Sequence, residues 1–526
     1  TEDRTEPALC FWQVWALYSI DMTEYNPKKR WSDVLKDHPE YFMDTTLPRL
    51  FGKAAAYQPD HMAAISRDQS LTYRELDLLS SRIAHKLIYG RISRGSAVAV
   101  MCGRSADTIA AYFGVWKAGC TVVFLDREYP SMRNRECMEE CNAAEVITPE
   151  WISEAEAEEP ILPSEDLSQP DQIAEIVYTS GSTSKPKGVL LSHRNILTSA
   201  SNYHLFGITS DDHYCCFASM MFVASVYDLA TSLLAGASLY LIPKEIRRSI
   251  AKIAAYYEEN GITITFLPPH MAKKYGALNQ KSPLRVLIVG SEPAHYLKPA
   301  SYRIAYVYAS TECCAVISIH WITEEQESYP AGIVVPTLHW MIADEQGRKV
   351  RPGEIGELLL AGGQICCGYL DLPLKNHKTF APNPYSRDPD YRRMYHTGDL
   401  MSQDENGELV FHGRMDAMVK VRGFRIELSA VEVFLLRFPG IQEAVCRVFP
   451  DQGGENILIG YYTADPDIDH AQLRTWMGRN LPYYMIPTAL IRLDQMPRNA
   501  NSKIDRNALQ APPELNDHKL LAKLYY

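Results

Sequence analysis

The 526-residue sequence predicts an α/β protein of two or three domains. Three observations carry that expectation. The chain is too long for one ordinary core. Apolar runs that read as strands alternate with stretches that read as helices through its first half. The run Ile173 to Tyr178 reads as a buried strand. It leads through a stretch of glycine, serine, threonine and lysine to Ser192, a good helix N-cap, and a helix from His193 onward.

In chain order, the first 45 residues carry Trp12, Trp15 and Trp31, which suit a segment that packs on another surface. Ala8 to Ile20 is apolar but short, and is preceded mostly by acids, so it makes a poor signal peptide. Leu71 and Thr72 read as a strand edge leading into a helix from Arg74 to Ile88. A second helix ends at Trp116-Lys117-Ala118-Gly119 with glycine as the C-cap. Thr121 to Leu125 is then a strand, and Asp126 to Pro130 a turn. Glu154 to Asp166 is acidic and proline-containing and reads as a solvated loop. Tyr178-Thr179-Ser180-Gly181-Ser182-Thr183-Ser184-Lys185-Pro186-Lys187-Gly188 follows. Its small side chains let backbone approach an anion, its N–H and hydroxyl groups can wrap phosphate oxygens, and Lys185 and Lys187 add positive charge. It is a phosphate loop, but not the G-x-x-x-x-G-K-[ST] type, because no Gly-Lys-Ser/Thr closes it. A flexible linker would rarely lie between a strand and a capped helix. Further on, Pro268-Pro269-His270 and Leu287 to Ser291 lie at the ends of short strands, and Asp404 to Gly407 is a hairpin turn.

Composition narrows the function. Apolar content is 46% and charged content 22%, a globular profile. The net charge of −11 gives no electrostatic case for nucleic acid or an anionic membrane, so a polyanionic ligand needs a local site. Twelve cysteines without CxxC pairs at zinc spacing are not a disulfide scaffold. The adjacent pairs Cys215-Cys216, Cys313-Cys314 and Cys366-Cys367 read as small apolar filling, and a reducing cytoplasm fits best. No run of 18 apolar residues predicts a membrane span. The chain opens on Thr1 rather than Met, which reads as processing or excision from a longer chain.

The loop at Tyr178 to Gly188 closely resembles the phosphate loop of the adenylate-forming superfamily of acyl-CoA synthetases, luciferases and adenylation domains of nonribosomal peptide synthetases. Ser184 stands where the peptide-synthetase domains usually have glycine. Matches continue in family order from Thr46 to Pro513. They run through Thr46-Leu47-Pro48-Arg49-Leu50-Phe51, Leu71 to Leu76, Trp116 to Gly119, Tyr308-Ala309-Ser310-Thr311-Glu312, Gly356 to Leu358, Gly368-Tyr369-Leu370 and Tyr395-His396-Thr397-Gly398-Asp399-Leu400. Gly413-Arg414-Met415-Asp416 begins the most diagnostic run. The form Arg422-Gly423-Phe424-Arg425-Ile426-Glu427-Leu428, with Leu481 to Pro487, is that of the peptide-synthetase branch. Asn501-Ser502-Lys503-Ile504-Asp505-Arg506 is similar to the family's closing motif.

The resemblance implies a large N-terminal α/β domain at 46–413 and a small mobile α+β domain at 414–510. A connector at 1–45 would precede them, and 511–526 would begin a linker to a carrier domain. ATP would lie between the two domains. Thr179, Ser180, Gly181, Ser182, Thr183 and Lys187 would hold its phosphates, Tyr308 would present a flat face to adenine, and Asp399 and Arg414 would take the ribose. Thr311 would offer a hydroxyl to the α-phosphate, and Glu312 a hard oxygen to Mg²⁺. Lys503 would bridge substrate carboxylate and α-phosphate, and Asp416 would be the hinge.

Carried over residue by residue, the acyl pocket is Val223, Ala224, Tyr227, His270, Leu287, Val289, Val307, Ala315 and Val316. Val223 stands where the family's aspartate pairs with an α-ammonium group. Without that carboxylate, a buried ammonium costs several kcal/mol, about 3–5. The apolar wall suits a hydrophobic or aromatic acid, and His270 could hydrogen-bond a substrate hydroxyl, keto group or ring nitrogen. The implied substrate is an aryl, α-keto, α-hydroxy or β-amino acid. The implied reaction forms an acyl-adenylate and pyrophosphate from Mg-ATP, then a thioester on the phosphopantetheine of a carrier protein. Implied partners are a carrier domain, other synthetase domains and a small MbtH-like helper, with neither nucleic acid nor membrane. The alternatives are an acyl-CoA synthetase, and a catalytically silent binding module, which the departures at Ser184, Ala309, Ser310 and Ser502 allow.

Overall fold

The computed structural model describes residues 29–127, 129, 131–157, 166–179, 187–278, 281–415, 418–421, 423–451, 455–464, 468–498 and 504–516. The expectations for Trp12, Trp15, Ser180, Gly181, Ser182, Thr183, Asp416, Lys503 and the linker beyond Asn516 lie outside these residues. Trp31 is buried and donates its indole N–H to the Leu234 carbonyl at 2.8 Å, so the end of the connector packs on the main body.

Local signals build the first elements much as the pattern predicts. Helix α1 (Tyr73–Tyr89) starts at a capping box in which Thr72 and Glu75 satisfy each other's backbone N–H groups. Helix α2 (Ala106–Lys117) is capped by Ser105 and ends where Gly119 turns left-handed at φ 68°. Lys117 is buried there, 2.6 Å from Asp77 Oδ1 and within 2.9 Å of the Ser80 and Ser81 hydroxyls. Removing one partner of such a pair strands the other charge. Lys117→Met is therefore expected to cost about 3–5 kcal/mol in urea unfolding, and a cost under about 1 kcal/mol would contradict that reading.

The phosphate-loop strand β1 (Ile173–Thr179) does not lead directly into a helix. It turns back as an antiparallel hairpin with β2 (Lys187–Ser192), which was not anticipated, and only then enters α3 (His193–Ala200) through the Ser192 cap. Among the described residues the last pair of that hairpin is Thr179 with Lys187. The solvated loop expected at 154–166 is also corrected at both ends. Glu154 lies in the helix Pro149–Ala157, and Asp166 pairs with Arg49 at 3.0 Å and accepts from Thr46.

Two sheets frame the body. A six-stranded sheet holds β1 and β2, with β1 beside three mutually parallel strands. A nine-stranded sheet packs against helix α4 (Val223–Leu234) and helix α5 (Pro269–Gly276). Towards one edge it contains β3 (Val286–Gly290), β4 (Arg303–Ser310) and β5 (Ala315–Ile322), with β3–β4 parallel and β4–β5 antiparallel. A third sheet, five-stranded and antiparallel, carries β6 (Arg393–Gln403) and β7 (Leu409–Arg414). One apolar core runs from Trp31 to Leu409, and a second fills the other face of the nine-stranded sheet. Two more cores begin at Val421 and Val445, behind the hairpin β8 (Met418–Val421) and β9 (Phe424–Glu427). Among the described residues, no helix is long and apolar enough to cross a membrane.

Candidate active site

The hairpin register places Lys187 opposite Thr179. Lys187 is buried, and its Nζ lies 5.6 Å from the centre of the Tyr369 ring. The Tyr369 hydroxyl donates to Glu312 Oε1 at 2.8 Å. Glu312 is 1% exposed, held in a single 3-10 turn, Thr311–Cys313, that follows β4. A phosphate-loop lysine, a phenol and a buried carboxylate thus lie in line. The two residues after that turn, Cys314 and Ala315, have φ of 49° and 86°, a left-handed conformation that non-glycine residues adopt at a cost. Magnesium binds through one or two carboxylates plus substrate phosphates and water. The buried Glu312 carboxylate fits that pattern.

A second set lies where β4 ends beside β6 and β7. Asp399 and Arg414 are cross-strand partners. Arg414 donates to one Asp399 oxygen and the Tyr308 hydroxyl to the other, while Arg414 also donates to the Thr397 carbonyl at 3.1 Å. Burial and the Asp399 carboxylate hold the Tyr308 phenol far above its ordinary value, so it remains a donor. Tyr308, Asp399 and Arg414 therefore form one hydrogen-bonded unit, and sugar hydroxyls reaching Asp399 would share or displace these donors.

Of the expected acyl wall, the structure brings together Val223, Tyr227, Val307, Ala315 and Val316 in one core. Val223 and Tyr227 line a packing cavity too tight for a water molecule, together with Leu191, Ile196, Ser199, Val226 and Cys314. Ala224 is half-buried beside them on α4, and His270 lies in the first turn of α5. Leu287 and Val289 are corrections. They pair with Ile304 and Tyr306 and point into the second core, on the opposite sheet face from Ile288 and Val307. Alternation along a strand decides this. Asp228, five residues after Val223, is held by the Tyr214 hydroxyl at 2.7 Å and does not line the cavity.

Gly290 closes β3 against β4. A Cβ there would lie 2.7 Å from both the Val307 side chain and its carbonyl. Gly290→Ala is expected to push Val307 into the pocket and lower kcat/KM at least ~10-fold, and an unchanged value would contradict this packing. Beyond Gly290, Glu292 accepts a hydrogen bond from the Gly423 N–H at the tip of the β8–β9 hairpin. Phe424 packs edge-on against Phe222 at 5.2 Å and stacks on Tyr484 at 4.3 Å. The hairpin tip therefore sits next to Val223, at the mouth of the acyl wall.

The pattern of the family described as AMP-binding enzyme matches residues 51–370. The chain belongs to this AMP-binding enzyme family. Among curated proteins, this AMP-binding enzyme is similar to bacitracin synthase 1 of Bacillus licheniformis, at 31% identity over 515 residues. The match covers 94% of this chain but spans only 10% of that protein. Among solved structures it is similar to holo-PA1221, described as an NRPS protein containing adenylation and PCP domains. The TM-score is 0.79 at 23% identity, over 90% of this chain and 86% of that one. It is also similar to o-succinylbenzoate CoA synthetase (MenE) of Bacillus subtilis, with TM-score 0.77 at 22% identity, over 89% and 99% of the two chains. The two structural matches bear on fold alone.

Two site residues of this AMP-binding enzyme escaped sequence reasoning. Tyr369 was read only as part of a Gly-Tyr-Leu block, yet it joins Lys187 to Glu312. Glu292 was passed over as the residue after Leu287 to Ser291. The sequence shows only a glutamate just past a strand end; its burial, 8% exposed, is legible in the structure alone.

Proposed function

We propose that the chain adenylates a carboxylic acid with Mg-ATP and hands the acyl group to the phosphopantetheine thiol of a carrier protein. The single observation that supports the reading most is the convergence of Lys187, Tyr369 and Glu312 on one side with Tyr308, Asp399 and Arg414 on the other. One set suits phosphates and the other suits a nucleoside.

The substrate carboxylate oxygen attacks the α-phosphorus and pyrophosphate leaves. Lys187 and the loop at Thr179, Ser180, Gly181, Ser182 and Thr183 hold the departing phosphates. Thr311 and Lys503 offset charge on the α-phosphate as the P–O bond forms. Mg²⁺, when bound at Glu312, supplies Lewis-acid polarisation of the phosphates. Asp399 and Arg414 hold the ribose, and Tyr308 flanks the base. The thiol sulfur then attacks the acyl carbon and AMP leaves. In this reading 46–413 is the core domain and 414–510 the mobile one. Asp416 is the hinge, and the β8–β9 hairpin replaces Lys503 beside the acyl group for the second step. The contact of Gly423 with Glu292 favours that arrangement.

The apolar Val223 supports an acid without a conventionally held α-ammonium: aryl, α-keto, α-hydroxy or β-amino. The test is to supply a phosphopantetheinylated carrier domain or free CoA with Mg-ATP and pooled acids, and to follow thioester formation by mass. Loading of the carrier alone supports the reading. Loading of CoA with none on the carrier would make the chain an acyl-CoA synthetase.

A further inference from the structure

Resting on the reading that Asp399 takes the ribose hydroxyls of ATP, we propose that Glu357 is a positioning residue of the nucleotide site. Its carboxylate locks the turn that presents Asp399, and so sets how strongly the site prefers a ribonucleotide to a deoxyribonucleotide.

Glu357 lies on the strand Gly356–Ala361, which pairs with β6, and its side chain is 19% exposed. The register slips between the pairs Glu357–Leu400 and Leu359–His396. Leu358 alone stands opposite Thr397, Gly398 and Asp399, so β6 bulges by two residues just where Asp399 sits. Bulges re-aim side chains and gather beside active sites. Residues that leave the ladder need other partners for their N–H and C=O groups. Glu357 supplies one. Its Oε1 accepts from the Gly398 N–H at 3.0 Å, and its Oε2 from the His396 Nδ1–H at 3.0 Å. Gly398 is left-handed at φ 70°, and a Cβ there would lie 3.0 Å from Nη2 of Arg414. Glycine is thus required at the centre of the turn.

The rest of the turn is tied as closely. Thr397 Oγ1 donates to the Leu358 carbonyl at 2.8 Å and accepts from the Asp399 N–H at 3.0 Å. The Met415 N–H donates to the Gly398 carbonyl at 2.8 Å, and Arg414 to the Thr397 carbonyl. Glu357 is the carboxylate in this set, and an N–H bonded to a carboxylate is held about twice as strongly as one bonded to a neutral oxygen. Glu357 acts on Asp399 through Gly398, the residue before it. Asp399 must meet sugar hydroxyls at hydrogen-bond distance, and a displacement of about 1 Å forfeits such bonds. Without the carboxylate, the Gly398 N–H loses its acceptor and the bulge is free to relax. A deoxy sugar has fewer bonds to lose, so a displaced Asp399 shows as lost discrimination.

The test is calorimetric titration of Mg-ATP and its 2′-deoxy and 3′-deoxy analogues into the full chain, with no acid present. Glu357→Met keeps the side-chain stem and removes both oxygens. Glu357→Gln keeps one oxygen for the Gly398 N–H. The wild type is expected to bind ATP ~10–100-fold tighter than either analogue, the usual worth of a hydrogen bond to a charged group. Glu357→Met should bring that ratio below ~3-fold, chiefly through lost ATP affinity, while Glu357→Gln should stay within ~3-fold of the wild-type ratio. Glu357→Asp, which draws the carboxylate back by one methylene, carries the expectation of Glu357→Met if that variant does not fold. A role in folding alone lowers the fraction that binds and leaves the ratio of Kd values unchanged. A ratio unchanged in Glu357→Met, or lost equally in Glu357→Gln, therefore overturns the inference. A wild type that binds ATP without preferring it instead overturns the reading of Asp399 on which the inference rests. A wild type that binds no ATP overturns the nucleotide site itself.

Discussion

Lys503→Ala is expected to lower acid-dependent ATP–pyrophosphate exchange by ~10²–10³-fold, the usual loss when one charge-stabilising donor is removed from a developing oxyanion. KM for the acid should change far less. The reason is chemical. The attacking carboxylate and the α-phosphate are both anionic, and only a cation between them lowers the cost of bringing them together. Lys503 itself lies outside the described residues, but the turn next to it is tied down. Ile504 bridges to Arg498, and the Asp505 N–H donates to the Pro497 carbonyl at 2.8 Å. In the proposed cycle this lysine acts only in the first half. Thioester formation from a preformed acyl-adenylate should therefore fall less than ~10-fold in the same variant. Equal loss in both halves would mean that Lys503 holds the fold of the C-terminal unit rather than the transition state.

Asp399→Ala is expected to lower kcat/KM for ATP by ~100-fold or more, chiefly through KM, and to destabilise the protein by about 3 kcal/mol. Asp399 accepts from Tyr308 on one oxygen and from Arg414 on the other, and its side chain is 8% exposed. Its removal strips a half-buried phenol and a mostly buried guanidinium of the same acceptor at once. Asp399→Asn is the control. It keeps the shape and one acceptor, so most of the stability should return while ribose binding stays weak. Stability that falls equally in both variants, with KM for ATP unchanged, would make Asp399 purely structural.

Much of this site was legible because its signals are local. The Ser192 cap and the Gly119 C-cap each depend on a few neighbouring residues, and each was read from them, as was the helix that the Thr72–Glu75 box begins. The strand Lys187–Ser192 was not, because its apolar part, Val189 to Leu191, is too short for periodicity to declare it. Leu287 and Val289 were assigned to the wrong wall for a different reason. Which side of a strand faces the pocket depends on pairing with a partner, and only the register of Gly290 with Val307 decides it. The Tyr308–Asp399 contact joins residues 91 apart, beyond any local pattern.

The most direct test of the central claim is acid-dependent ATP–pyrophosphate exchange on two pools, one of common α-amino acids and one of aryl, α-keto, α-hydroxy and β-amino acids. The account predicts exchange with the second pool alone, lowered ~10²–10³-fold in Lys503→Ala. Strong exchange with a common α-amino acid would contradict the reading of Val223. Silence in both pools, with wild type and Lys503→Ala indistinguishable, would contradict adenylation itself.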